Sequence, residues 1–183
     1  MRRRVRALVG TFAFLLIAPG TVAGIVPWLI SHWRLEAGHS GALTAGGIMF
    51  IVLGLIPLLE SFFRFAWKGL GTPAPVAPTQ HLVVSGFYRY VRNPMYLGVI
   101  AIIAGQALLF ADVDLVAYAL AAWLVMHAFV SFYEEPKLRR TFGPEYTVFC
   151  AHVPRWLPRL RPWTPSSLSS SRAGSRSGSK NER

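Results

Sequence analysis

The sequence predicts an all-α, polytopic membrane protein of about four transmembrane helices with a cytoplasmic C-terminal helical segment, and three observations carry that expectation. The chain of 183 residues is 53% hydrophobic and only 15% charged, beyond ordinary globular usage. Its apolar residues fall in runs that approach or exceed the roughly 20 residues needed to cross hydrocarbon. Its basic residues gather between those runs and at both ends rather than on one face. The formal charge of +11 therefore reads as basic flanks beside anionic lipid, and nucleic acid is not an expected partner.

The first run covers residues 7–30 behind Met1-Arg-Arg-Arg-Val-Arg6. It is longer than the core of a secretory signal and no small-x-small cleavage site follows, so a retained helix bent near Pro19 or Pro27 is expected. The second run, 42–67, contains Pro57 as a kink site and ends in Trp67-Lys68, an interfacial anchor. Glu60 and Arg64 lie one helical turn apart on it and can pair. Residues 69–78 are rich in Gly and Pro and should form a surface loop. The third and fourth runs, 95–110 and 115–132, are separated only by Ala111-Asp-Val-Asp114. Both are short, so a tight hairpin with some tilt, or a partly re-entrant helix, is expected. Gly98, Ala101 and Gly105 line one side of the third helix and permit close packing.

With four spans, Arg2, Arg3, Arg4, Arg6, Lys68, Arg89, Arg92, Lys137, Arg139, Arg140, Arg155 and Arg159 share one side. Arg34, Glu36, Asp112 and Asp114 share the other. The positive-inside tendency puts both termini in the cytoplasm of a bacterial inner or plasma membrane. Residues 1–163 should form one membrane domain, and 164–183 a disordered basic Ser/Arg/Gly tail.

Chemistry-bearing residues cluster at the cytoplasmic end. Residues 80–96 place Arg89, Arg92, Tyr88, Tyr90 and Tyr96 at the threshold of the third span, and Glu134-Glu135 close the fourth. Bland readings stand beside the functional one. The arginines can anchor in phosphate headgroups, the tyrosines can form an aromatic belt, and the glutamates before Pro136 can favour a helix N-terminus. His127, alone on an apolar helix, reads as a hydrogen-bonded packing residue. His81 and His152 lack partners at ligand spacing, and the one cysteine, Cys150, reads as a packing residue, so no metal is expected. Dinucleotide, phosphate-loop and zinc-helix motifs are all missing from the sequence, which excludes a soluble Rossmann enzyme.

Two ordered blocks resemble a known family. Leu82-Val83-x-x-Gly86-x-Tyr88-x-x-x-Arg92-Asn93-Pro94-x-Tyr96-x-Gly98 and Glu134-Glu135-x-x-Leu138-x-x-x-Phe142-Gly143-x-x-Tyr146, closing with Val153-Pro154-Arg155, are similar to the integral-membrane methyltransferases. These include isoprenylcysteine carboxyl methyltransferase and phospholipid N-methyltransferases. The resemblance covers roughly residues 79–158, while the first two spans match only in being hydrophobic.

The resemblance implies methyl transfer from S-adenosylmethionine to a lipid-like or isoprenoid acceptor, whose carboxylate, amine or hydroxyl is methylated at the cytoplasmic face. It implies Gln80, Leu82, Val83, Tyr88, Asn93, Pro94, Met95, Tyr96, Glu134 and Glu135 as cofactor-binding residues, with Arg92 and Glu134 as the catalytic pair. A carboxylate suits a cationic donor with an ammonium and ribose hydroxyls, and the guanidinium fork of Arg92 suits a carboxylate. The isoprenylcysteine enzymes usually carry Arg-His-Pro where this chain has Arg92-Asn93-Pro94, and an arginine where it has Val130. Asn93-Pro94-Met95-Tyr96 is closer to the phospholipid enzymes. Two alternatives remain open: a nicotinamide-dependent membrane reductase of sterol-reductase-like fold, and a non-catalytic lipid-binding protein.

Overall fold

The structure is a computed structural model that describes residues 13, 16–35, 40–68 and 82–164, and among these every regular element is helical. The N-terminal arginines, Glu36, the 69–78 loop, Gln80, His81 and the tail from residue 165 lie outside the described residues, as do the side chains of Trp67 and Lys68. Five helices follow in order. They are α1 (Leu16–Ser31), α2 (Gly41–Lys68), α3 (Pro94–Phe110), α4 (Val113–Phe129) and α5 (Glu135–His152).

Length separates these helices. Gly41–Arg64 and the continuous stretch Val113–His152 are long and apolar enough to cross a membrane, whereas Leu16–Ser31 and Pro94–Phe110 are apolar but shorter. Helix α3 is short for local reasons: Pro94 occupies its first turn, and Ala111 turns left-handed to end it. The exposed faces of α2 and α4 are apolar, with Ile48, Met49, Leu53, Ile56 and Phe63 on one and Leu120, Leu124 and Val125 on the other. Contiguous apolar surface of this kind calls for an apolar surrounding.

Helices α2 and α3 meet backbone to backbone. Gly54 faces the Gly98 carbonyl and Gly47 faces the Gly105 carbonyl, at 2.6 and 2.7 Å from where a Cβ would sit. The small stripe on α3 was legible, but its partners on α2, seven residues apart, were not singled out. Below this contact Leu58, Phe62, Val99, Ile102, Ile103 and Ala119 form a buried core. Gly54→Val is expected to lower stability by about 1–3 kcal/mol through overpacking. Gly46→Val, where a Cβ would meet nothing within 4 Å, should change it far less. Thermal unfolding of the two variants in one detergent checks this.

Helix α1 is tied on through a widened turn. Thr21–Ile25 is π-helical, and side chains of the hairpin take two of its carbonyls. Gln106 donates to Ala23 O at 2.7 Å and Tyr118 donates to Val22 O at 2.9 Å. Pro27 is buried just after this π turn. Pro57 sits inside α2 without ending it.

The α3–α4 hairpin is as tight as its four-residue linker suggested. Asp112 caps α4, accepting from the amides of Asp114 and Leu115 at 2.8 and 3.3 Å. Because the two helices run antiparallel, the start of α3 and the end of α4 lie at the same end of the bundle. Helix α4 then passes without a break through a second π turn, Val130–Glu134, into α5. Glu134 and Glu135 therefore stand inside a continuous helix, where there is no free N-terminus for them to cap. Gly143, at φ +51°, kinks α5 just ahead of Pro144.

Residues 153–164 double back as a strap along the loop before α3. The amides of Arg92, Arg159 and Trp163 donate to the carbonyls of Pro154, Tyr90 and Arg89, each at 2.9 Å. Arg89, a candidate lipid anchor by sequence, instead donates Nε to Trp163 O at 2.8 Å and also bonds Thr164. His127 behaves as the packing residue expected. It accepts from Trp156 Nε1 at 2.9 Å and stacks beside Trp123 and Trp156.

Candidate active site

Four pieces of chain converge at this end: the 82–93 loop, the first turn of α3, the second π turn with α5, and the strap. Within the loop, Gly86 lies in the left-handed region at φ +59°. A Cβ there would overlap the Glu60–Arg64 pair of α2, so glycine is required on both conformational and steric grounds. The short 3₁₀ turn Gly86–Arg89 that follows leaves Tyr88 half-buried. Burial pushes the Tyr88 phenol well above its usual range, although a hydrogen bond with the fully buried Ser61 opposes the shift. It is thus a neutral aromatic wall at physiological pH.

Asn93 precedes α3 and donates Nδ2 to Arg155 O at 3.1 Å, joining the loop to the strap. Pro94 is buried at the helix start, where its missing N–H is not needed. Tyr96, two residues on, donates its hydroxyl to Glu134 Oε2 at 3.0 Å.

The neighbouring glutamate has a different environment. Glu135 is 6% exposed and receives two arginines. Arg92 Nη1 donates to Oε1 at 2.8 Å, while Arg155 reaches Oε1 through Nε at 2.7 Å and Oε2 through Nη2 at 2.9 Å. The bidentate bond to Glu135 also raises the Arg155 pKa, so its charge is fixed. Arg155 further donates Nη1 to Ser131 Oγ at 3.0 Å. Arg92 spends the rest of Nη1 on Cys150 Sγ at 3.0 Å, and its Nε is buried without a partner among the described residues.

These groups enclose a cavity of about 110 Å³. Of the residues expected from sequence, Leu82, Val83, Tyr88, Arg92, Asn93, Met95, Tyr96, Glu134 and Glu135 line it. Pro94 is not among its lining residues, and Gln80 lies outside the described residues. Sequence reasoning assigned no lining role to Val130, Leu138, Phe142, Tyr146 or Phe149, which complete the wall. A signal was available, since 135, 138, 142, 146 and 149 recur at helical spacing on one face of α5. Val130, 1% exposed, contributes an alkyl group to the wall.

The lining joins one carboxylate held by a single phenol, one arginine with an unspent donor, and aromatic faces. Such a set suits a ligand that carries a soft cation together with a carboxylate. Among the described residues no group of three or more His, Cys, Asp or Glu that could hold a metal ion is found.

A family model described as phospholipid methyltransferase matches residues 42–145. The match takes in α2, the 82–93 loop, the hairpin and both glutamates, and stops before Tyr146, Phe149 and Arg155. No curated protein and no solved structure matches the chain.

Proposed function

The chain belongs to the phospholipid methyltransferase family, and on that premise we propose that it moves the sulfonium methyl of S-adenosylmethionine to the carboxylate, amine or hydroxyl of a lipid-like acceptor. The observation that carries the reading is the meeting of two stretches distant in sequence at one cavity, through Arg92 to Glu135 at 2.8 Å and Tyr96 to Glu134 at 3.0 Å.

The residues present fit the donor. The orphaned Arg92 Nε is a buried, positively charged N–H suited to the methionine carboxylate. Glu134 offers its carboxylate to the ammonium or the ribose hydroxyls, and Tyr88, Tyr96, Phe142 and Tyr146 supply aromatic faces for the sulfonium. A cavity of about 110 Å³ is below the roughly 300–1,000 Å³ of sites that enclose a whole drug-sized ligand. It accommodates the amino-acid end of the donor. When bound, S-adenosylmethionine supplies an activated methyl that leaves by in-line displacement.

The protein's share of that reaction is alignment and exclusion of water. Glu135 and Arg155 hold the Arg92 guanidinium in one orientation, Tyr96 holds Glu134, and Val130 with Leu138 keeps the wall apolar. No covalent protein intermediate is required.

We read the four apolar helices as crossings, with α1 and α3 the short ones, and place the site at the cytoplasmic rim on the distribution of basic residues. The exposed apolar faces of α2 and α4 support this reading. Incubating purified protein with methyl-labelled S-adenosylmethionine and native lipid extract, then searching for labelled lipid by mass spectrometry, tests it. Labelled lipid supports the proposal, and none in the presence of bound donor rejects it.

Arg92→Ala removes both the donor contact and one partner of Glu135. It is expected to reduce kcat/KM by about tenfold to a hundredfold, the equivalent of one hydrogen bond to a charged group. Circular dichroism should show retained helix content.

A further inference from the structure

Residues 153–164 form no regular element, yet their backbone is pinned to the 89–92 stretch by three hydrogen bonds of 2.9 Å. Trp156 adds a side-chain tie, donating Nε1 to His127 of α4. On this fixed strap two leucines turn away from the protein, Leu157 at 79% exposure and Leu160 at 99%. Isolated exposed leucines are common on protein surfaces, but these two have a particular setting. Pro158, between them, shares a groove with Leu53 and Ile56, which belong to the outward apolar face of α2. The strap thus continues an apolar surface that the helices already present.

Charge completes the pattern. Arg159 and Arg161 alternate with the leucines, and Arg89 is bonded to the end of the strap through Trp163 and Thr164. None of these three arginines enters an ion pair among the described residues, where Glu60 and Glu135 are taken by Arg64, Arg92 and Arg155. Cations interleaved with outward leucines fit a surface that offers phosphate at one depth and hydrocarbon just below it.

We propose that the strap is the seat of an anionic leaflet, whose state sets the donor cavity. Leu157 and Leu160 enter the boundary between headgroups and acyl chains, and Arg89, Arg159 and Arg161 take lipid phosphates. The effect reaches the cavity because Arg155 lies in the same strap, two residues before Leu157. Its fork on Glu135 fixes the carboxylate that also holds Arg92. Donor affinity therefore follows the charge of the leaflet. The seat rests on the reading of the apolar helices as crossings, and its filling needs no methyl transfer.

The test reads hydrogen exchange of the 153–164 amides by mass spectrometry, in the full chain, in phosphatidylcholine nanodiscs with and without phosphatidylglycerol. Without donor, the anionic discs should slow exchange there by at least about tenfold, since each arginine at an anionic surface contributes roughly fivefold. Leu157→Ser/Leu160→Ser and Arg161→Gln remove exposed side chains that make none of the strap's hydrogen bonds, and each should cut the slowing to about twofold. Equal exchange of wild type in the two discs, or full slowing in the leucine variant, overturns the proposal. Inorganic polyphosphate that reproduces the slowing in neutral discs would assign the surface to a soluble polyanion and overturn it too. S-adenosylmethionine titrated into the same discs should bind about tenfold more tightly in the anionic ones, and equal affinity in both overturns the link to Arg92. Lipid-dependent slowing with no donor binding in either disc would count against the proposed function and leave the seat intact.

Discussion

Glu135→Ala is expected to destabilise the protein by about 3–5 kcal/mol, the usual consequence of removing one member of a buried charge network. The carboxylate is only 7% exposed on its side chain and accepts three hydrogen bonds from two arginines. Without it Arg92 and Arg155 lose their shared carboxylate, and neither has another among the described ion pairs. Denaturant or thermal unfolding in detergent measures the loss. Arg155→Lys should recover only part of the wild-type value in the same assay, because an ammonium cannot reproduce the bidentate fork. Wild-type stability in Glu135→Ala would show that the network is not what fixes the strap against the helices.

The adjacent substitution should have the opposite profile. Glu134→Gln is expected to weaken S-adenosylmethionine binding by about tenfold to a hundredfold with stability nearly unchanged. The amide keeps an oxygen for the Tyr96 hydroxyl, the hydrogen-bond donor to this side chain among the described residues. What disappears is the negative charge offered to a cationic donor. Calorimetric titration of the donor, beside an unfolding curve, separates the two effects. A Glu134→Gln protein that binds donor as wild type does would remove Glu134 from the proposed site.

That two neighbouring glutamates divide into one held by a tyrosine and one tied to two arginines was not legible in the sequence. Glu134-Glu135 reads as one acidic pair, because the residue that distinguishes them, Arg155, comes twenty positions later in an irregular segment. The strap itself has no periodicity, and its backbone bonds to Arg89, Tyr90 and Arg92 have no sequence signature. Helix boundaries were far more readable. The left-handed Ala111, the Asp112 cap and the Asn93-Pro94 start are local events with local causes, so α3 and α4 fall within two or three residues of their predicted limits. The close face of α3 was readable as small residues at helical spacing. Its partner face on α2 was not, since Gly47 and Gly54 are separated by a glycine-free stretch and gain meaning only in contact.

The π turn at Val130–Glu134 carries a consequence of its own. Such a turn holds one residue more than the α-helical turn it replaces, and each residue sweeps about 100° around the axis. Here the surplus lets α4 keep its apolar side outward while α5 presents Glu135, Leu138, Phe142 and Tyr146 to the cavity. The constraint in this stretch is therefore on arithmetic more than on identity. Phe132, at 83% exposure, has almost no neighbours to satisfy, yet its place in the count cannot be vacated without swinging everything downstream by more than a quarter of a revolution.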